Sequence, residues 1–191
     1  SGDQKNVLAQ TLWQEGKMYL DQTGSVESWM GICHGWSAAS LMLPAPSKKV
    51  SYKGVNFYPS DIKALGSLLW ANGQFSTKFI GGRCNQKNPK RDEFGRIKDQ
   101  DCFDINPGTW HMAIVNQIGI SNRGFVMDAT YDYQVWNQPV YRYWYGYFNP
   151  QTEKETQNFN DAVIAYKTFS HDKFSRYRKN QVKNIVGITM N

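Results

Sequence analysis

Cys33 stands in Gly31-Ile32-Cys33-His34-Gly35-Trp36, between two glycines and ahead of a run of small residues from Ser37 to Ser40. That run reads as a helix that starts near the cysteine. A helix N-terminus carries partial positive charge and unsatisfied N–H groups, so it favours a thiolate and can hold an oxyanion. The flanking glycines let a substrate carbonyl come close. A buried structural cysteine would also fit among Ala38, Ala39 and Leu41, but it would not need two glycines and a tryptophan around it. Cys33 is therefore the candidate nucleophile.

A nucleophilic thiol needs a base, and the base needs a third group to hold it. His34 is adjacent in sequence, but successive side chains diverge at a helix start, which puts it on the surface or a pocket rim. His171 lies in the polar turn Ser170-His171-Asp172-Lys173 and reads as solvated. His111 follows the turn Asn106 to Trp110 and opens an apolar run that reads as a strand, so it can point across a cleft. A purely structural histidine is the alternative. Asp128 falls inside the apolar run Phe125 to Ala129, where a carboxylate costs energy unless it is paired. An imidazolium is its natural partner. Facing His111 directly would need a hairpin centred between residues 119 and 120, whereas the polar turn is centred nearer 122–123, so a bulge is required. Asp132 is the competing acid, and its place near a turn makes it the more exposed of the two.

The elements that must position these groups are legible in outline. Val7 to Leu20 has the apolar spacing of an amphipathic helix. Val50 to Tyr58 reads as a hairpin turning at Lys53-Gly54. Pro59-Ser60-Asp61 opens a helix whose expected buried stripe is Ile62, Leu65, Leu68, Leu69 and Trp70, ending at Asn72-Gly73. Strands are expected at His111 to Gly119, Phe125 to Tyr131, Val140 to Phe148, Ala162 to Phe169 and Ile185 to Met190. Helices first and strands after make an α+β chain. It is expected to be one catalytic domain over 1–191, helical to about residue 80, looped over about 81–104 and β-rich over 105–191.

Of three cysteines, Cys84 and Cys102 flank a polar, charged loop. A disulfide closing it would add roughly 3 kcal/mol of stability and indicates an oxidising compartment; two unrelated thiols are the alternative. A zinc site is disfavoured, because the loop holds no histidine and there is no Cys-x-x-Cys pair. The longest apolar run, Ala38 to Pro44, is far short of the roughly 20 residues of a membrane helix, so no membrane span is expected. Residues 1–4 lack the basic start and apolar centre of a signal peptide, so an exported chain would have lost its signal already. A net charge of +6 mildly favours an acidic surface as partner. Its two basic clusters, Lys78 to Lys98 and Lys167 to Lys183, lack the features of a nucleic-acid module, so no nucleic acid is expected.

Three segments resemble the transglutaminase-elicitor family, within the wider papain-like superfamily: Gly31 to Ser40 (GICHGWSAAS), Thr109 to Asn116 (TWHMAIVN) and Asp128 to Tyr141 (DATYDYQVWNQPVY). The resemblance implies a papain-like fold, with N-terminal helices packed on a C-terminal antiparallel sheet. It also implies acyl transfer from a glutamine side chain to a lysine or other amine, with Cys33 as nucleophile, His111 as base and Asp128 as its orienter. No cofactor is required, but the resemblance allows a calcium ion, for which Asp99, Asp101 and Asp104 are weak candidates that lack the spacing of a calcium loop. Papain-type proteases place a glutamine six residues before the cysteine. Glu27 stands there instead, which argues against a protease and leaves the oxyanion to backbone groups or to the indole N–H of Trp29 or Trp36. Trp110, Trp136 and Asn137 complete the candidate pocket, and the aromatic stretch Trp136 to Phe148 is the candidate wall against water. A secreted or periplasmic transglutaminase acting on protein glutamines and lysines is the leading expectation. The alternatives are a glutamine deamidase, a papain-like peptidase or cell-wall amidohydrolase, and a non-catalytic surface module.

Overall fold

The computed structural model describes residues 7–130 and 132–191. It is α+β, and among the described residues the strands form four small antiparallel sheets rather than one. The chain divides into two compact units, one ending at Val140 and one running from Tyr141 to Asn191. Among the described residues, no helix is long and apolar enough to cross a membrane.

In the first unit, α1 (Val7–Thr23) leaves Leu12, Trp13, Met18 and Leu20 exposed. Helix α2 (Cys33–Met42) starts at Cys33, as its small-residue run predicts. The hairpin β1 (Val50–Tyr52) and β2 (Val55–Phe57) turns at Lys53-Gly54. Both turn residues have positive φ, 46° and 77°, the two-residue turn that matches strand twist. In α3 (Pro59–Asn72), Pro59 takes the first turn and the Asp61 carboxylate accepts the Tyr58 N–H at 2.8 Å.

The expected apolar stripe of α3 is only partly buried. Leu65 is 47% and Leu69 60% exposed, while the buried residue is Ser67. The cause is a close helix crossing. A Cβ on Gly35 of α2 would run into the Ser67 carbonyl and into Ala71, so the packed face of α3 is its small-residue face. Large side chains cannot fit where two backbones approach this closely.

The segment expected to be a strand from His111 to Gly119 is helical: α4 spans Pro107–Ile114 and a π-helical turn continues over Val115–Ile120. Its start explains the difference. Asn106 caps the helix, accepting the Gly108 N–H at 2.9 Å, and Pro107 is preset for the first turn. These signals outweigh the β-branched residues that follow, whose alternation is only partial. Trp110 then packs edge-on against Phe125 at 5.7 Å.

The next strand is shorter than expected. β3 (Phe125–Asp128) pairs with β4 (Asn137–Val140), with Asp128 opposite Asn137. Tyr131, expected at its end, lies outside the described residues. The loop from 81 to 104 is closed by the Cys84–Cys102 disulfide, Cα–Cα 4.3 Å. Inside it, Asp92 accepts the N–H groups of Phe94 and Arg96, and Gly95 has φ 77°.

The second unit has a three-stranded sheet, with β5 (Tyr145–Phe148) between β6 (Glu155–Thr156) and β9 (Gly187–Met190). The strand expected over Val140 to Phe148 is thus broken, its ends lying in different sheets. The strand expected over Ala162 to Phe169 also shrinks. Ala162 closes the short helix α5 (Phe159–Ala162), capped by Asn158, and only β7 (Ile164–Ala165) is strand, pairing with β8 (Asn184–Ile185). Ile185 and Gly187–Met190, expected as one strand, belong to separate sheets. Tyr143, Tyr145, Tyr147 and Phe159 form a chain of ring contacts at 5.4–5.5 Å.

Candidate active site

Cys33 opens α2 as a free, half-buried thiol. Its helix lies against β3 and β4, so the hairpin supplies the sulfur's polar surroundings. The Asn137 Nδ2 donates to Sγ at 3.5 Å, and Sγ lies 3.6 Å from the Val135 carbonyl, which can accept the thiol proton. One helical turn on, the fully buried Ser37 hydroxyl donates to the Asn137 carbonyl at 2.8 Å.

Asp128 organises the loop that joins the two strands. Its Oδ1 accepts the Trp136 N–H at 2.9 Å and the Thr130 N–H at 3.2 Å, and Ala129 N–H reaches the Trp136 carbonyl at 3.0 Å. The Thr130 hydroxyl donates to the Gln134 carbonyl at 2.7 Å. This network fixes the turn that delivers Val135 and Asn137 to the sulfur.

His111 is half-buried on α4, with a buried Nδ1. It therefore does not face Asp128 across a ladder; Asn137 takes that place in the register. The aromatic contact of its neighbour Trp110 joins α4 to the β3 strand that ends at Asp128. His34 and His171 are exposed, as is Asp132, whose carboxylate accepts the Gln134 N–H.

Of the pocket candidates, Trp29 packs edge-on against Tyr133 at 5.7 Å, Trp36 is 48% exposed, and the Trp136 indole donates to Gln134 at 2.8 Å. Asn137 alone among them touches the sulfur by a polar contact. Ser37 and Val135 escaped sequence reasoning. Ser37 could have been found by its place four residues after Cys33 on one helix face; a backbone carbonyl such as that of Val135 leaves no trace in residue type.

Residues 15–189 match the profile of the transglutaminase elicitor family. The chain belongs to that family. A search of curated proteins found no match. Among solved structures, the chain is similar to the GP42 transglutaminase from Phytophthora sojae, with 24% identity and a TM-score of 0.44, covering 86% of this chain and 47% of that one. It thus spans about half the length of that solved protein.

In this family member, Glu27 has a charged partner. Its carboxylate pairs with Lys87 at 2.5 Å. The hydrogen bond and charge of Glu27 together hold the Lys87 ammonium above its usual range. Lys87 also sits 5.2 Å from the Tyr133 ring centre. The disulfide-closed loop therefore rests, through one lysine, on both segments that lead to the sulfur, 27–33 and 133–137.

Asp99, Asp101 and Asp104, the aspartates weighed for a calcium ion, do not form a cluster. Among the described residues no three His, Cys, Asp or Glu side chains gather to hold a metal. Asp99 instead accepts the Lys90 N–H and Asp104 the N–H of Ile105, both at 2.6 Å. The aromatic stretch from Trp136 to Phe148 is divided between the two compact units at Val140.

Proposed function

We propose that this chain is a transglutaminase that joins protein glutamines to lysines or other primary amines through a thioester on Cys33. The observation that carries the reading is a free thiol on the first residue of α2 with an amide donor beside its sulfur. The family membership supports the same chemistry. Cys33 sulfur attacks the glutamine γ-carbonyl carbon, giving its proton to His111. The oxyanion rests on the first-turn N–H groups of α2. The carbon–nitrogen bond breaks as His111 returns the proton, and ammonia leaves. An amine then attacks the thioester; its proton passes through His111 to the departing sulfur, and an isopeptide bond remains. Asp128 is the proposed orienter of the base. The Cys84–Cys102 disulfide supports action outside the reducing cytoplasm, where protein glutamines and lysines are the substrates.

The test is incorporation of a labelled primary amine into a glutamine-rich protein by wild type and Cys33→Ala, with and without calcium. Incorporation lost in the variant establishes acyl transfer through Cys33. Ammonia release without incorporation makes the protein a deamidase. Peptide cleavage instead makes it a peptidase. A Cys33 that no thiol reagent labels near neutral pH refutes catalysis and leaves a binding role.

A further inference from the structure

We infer that Asn137 tunes the reactivity of Cys33 by donating to its sulfur, and that Ser37 is the positioning residue that holds Asn137 there. The inference rests on Cys33 being the nucleophile of the proposed transglutaminase, and it adds a residue pair that the Cys33, His111 and Asp128 assignment does not use.

A thiol has one proton, and the Val135 carbonyl at 3.6 Å can only accept it. With the proton directed to that carbonyl, the Asn137 amide faces the sulfur with its nitrogen, which donates to it at 3.5 Å. Those two contacts oppose each other. The carbonyl favours the protonated sulfur, and the amide N–H favours the thiolate, because hydrogen bonds to charged groups are the stronger ones.

The donor is held from behind. Asn137 belongs to β4, and its own carbonyl receives the Ser37 hydroxyl at 2.8 Å. Ser37 is wholly buried and lies one turn from Cys33 on the same face of α2. Cys33 and Ser37 thus grip the side chain and the main chain of one residue. A helix and a strand joined at two points of a single asparagine cannot slide past each other without breaking the sulfur contact.

Alkylation of Cys33 by iodoacetamide tests this without turnover, since the other two cysteines are bonded to each other. The rate is followed from pH 6 to pH 10 in wild type, Asn137→Ala, Asn137→Asp and Ser37→Ala, each checked for folding by thermal melting. Losing a hydrogen bond to a charged sulfur slows Asn137→Ala about tenfold near neutral pH. The same variant matches wild type at high pH, where every thiol is ionised. A merely structural role would instead change the rate by one factor at every pH. Asn137→Asp places a carboxylate beside the sulfur and is slower still near neutrality. Ser37→Ala falls between wild type and Asn137→Ala. Profiles of Asn137→Ala and wild type that superimpose overturn the inference; if Asn137→Ala does not fold, an unmoved Ser37→Ala profile overturns it. A shifted profile in a protein that incorporates no amine refutes the transglutaminase reading and leaves the tuning intact. Unshifted profiles with normal incorporation refute the tuning alone.

Discussion

Replacing Gly35 with alanine puts the close crossing of α2 and α3 to the test. The new Cβ would meet the Ser67 carbonyl oxygen and lie 2.6 Å from the Ala71 Cβ and 2.7 Å from the Ala71 nitrogen. Ordinary contact begins near 3.4 Å, so relieving the Ala71 Cβ contact alone requires α3 to retreat by about 0.8 Å, and the Ser67 oxygen requires more. The obstructing oxygen and nitrogen are backbone atoms inside regular helix and cannot step aside as a flexible side-chain end would. Alanine alone would favour the helix by about 1 kcal/mol. Overpacking against rigid neighbours costs about 1–3 kcal/mol, with backbone obstacles at the upper end. The expected net loss is about 1–2 kcal/mol, a fall in Tm of about 2–8 °C for a chain of this size. Gly31→Ala is the control, because nothing lies within 4 Å of its Cβ position, and it should stay within about 0.5 kcal/mol of wild type. Urea denaturation and thermal melting of both variants decide. A Gly35→Ala protein as stable as Gly31→Ala would refute the close crossing and, with it, the account of why Leu65 and Leu69 stay exposed.

Replacing Cys84 and Cys102 together with serine should lower stability by about 3 kcal/mol in urea denaturation, and a reductant should lower wild type by a similar amount while leaving the variant unchanged. Asn106→Ala removes the cap of α4 and should cost about 1 kcal/mol in the same assay; no loss would mean that Pro107 alone starts the helix. Asp172, only 4% exposed at its side chain, pairs with Arg178 at 2.9 Å. Burial alone would push its carboxyl up, but the hydrogen bonds from Arg178 and from the Phe174 N–H, with the Arg178 charge, hold it below the usual 3.8. A depressed folded value makes its contribution complete above the ordinary carboxylate range and progressively lost as pH falls through the folded value. Asp172→Asn should therefore be less stable than wild type at pH 7, with the gap closing below pH 4; a gap that stays constant from pH 7 to pH 2 would show that the carboxylate's charge contributes nothing.

The first 80 residues were legible where local chemistry and tertiary packing agree. Small residues after Cys33, the Lys53-Gly54 turn and the Pro59 start each act within a few residues, and the elements begin or turn where they stand. The face of α3 was not legible, because Gly35 belongs to another helix and only the crossing shows that it calls for Ser67 and Ala71 as neighbours. The later strands failed for a related reason. Apolar and aromatic runs such as Val140 to Phe148 and Ala162 to Phe169 signal burial, but not where one sheet ends and the next begins.

The candidate site divides along the same line. Cys33 and the Cys84–Cys102 pair follow from residue type and surroundings. A strand over His111 to Gly119 would bring His111 towards Asp128, but the Asn106 cap and Pro107 make that segment a helix instead. A carboxylate buried in an apolar run would need partners, but Asp128 is exposed, and the partners it has include backbone N–H groups of its own loop. Satisfying the carboxylate fixes the turn from Ala129 to Trp136, and the turn sets Asn137 across from Asp128 and against Cys33. An Asp128→Asn substitution should consequently disturb the sulfur's surroundings even with His111 untouched. Asn can keep one acceptor oxygen toward the Trp136 N–H, so Asp128→Ala should slow alkylation of Cys33 by iodoacetamide more than Asp128→Asn does. If both variants alkylate at the wild-type rate while losing amine incorporation, Asp128 acts on the base alone and the loop needs no carboxylate to hold it.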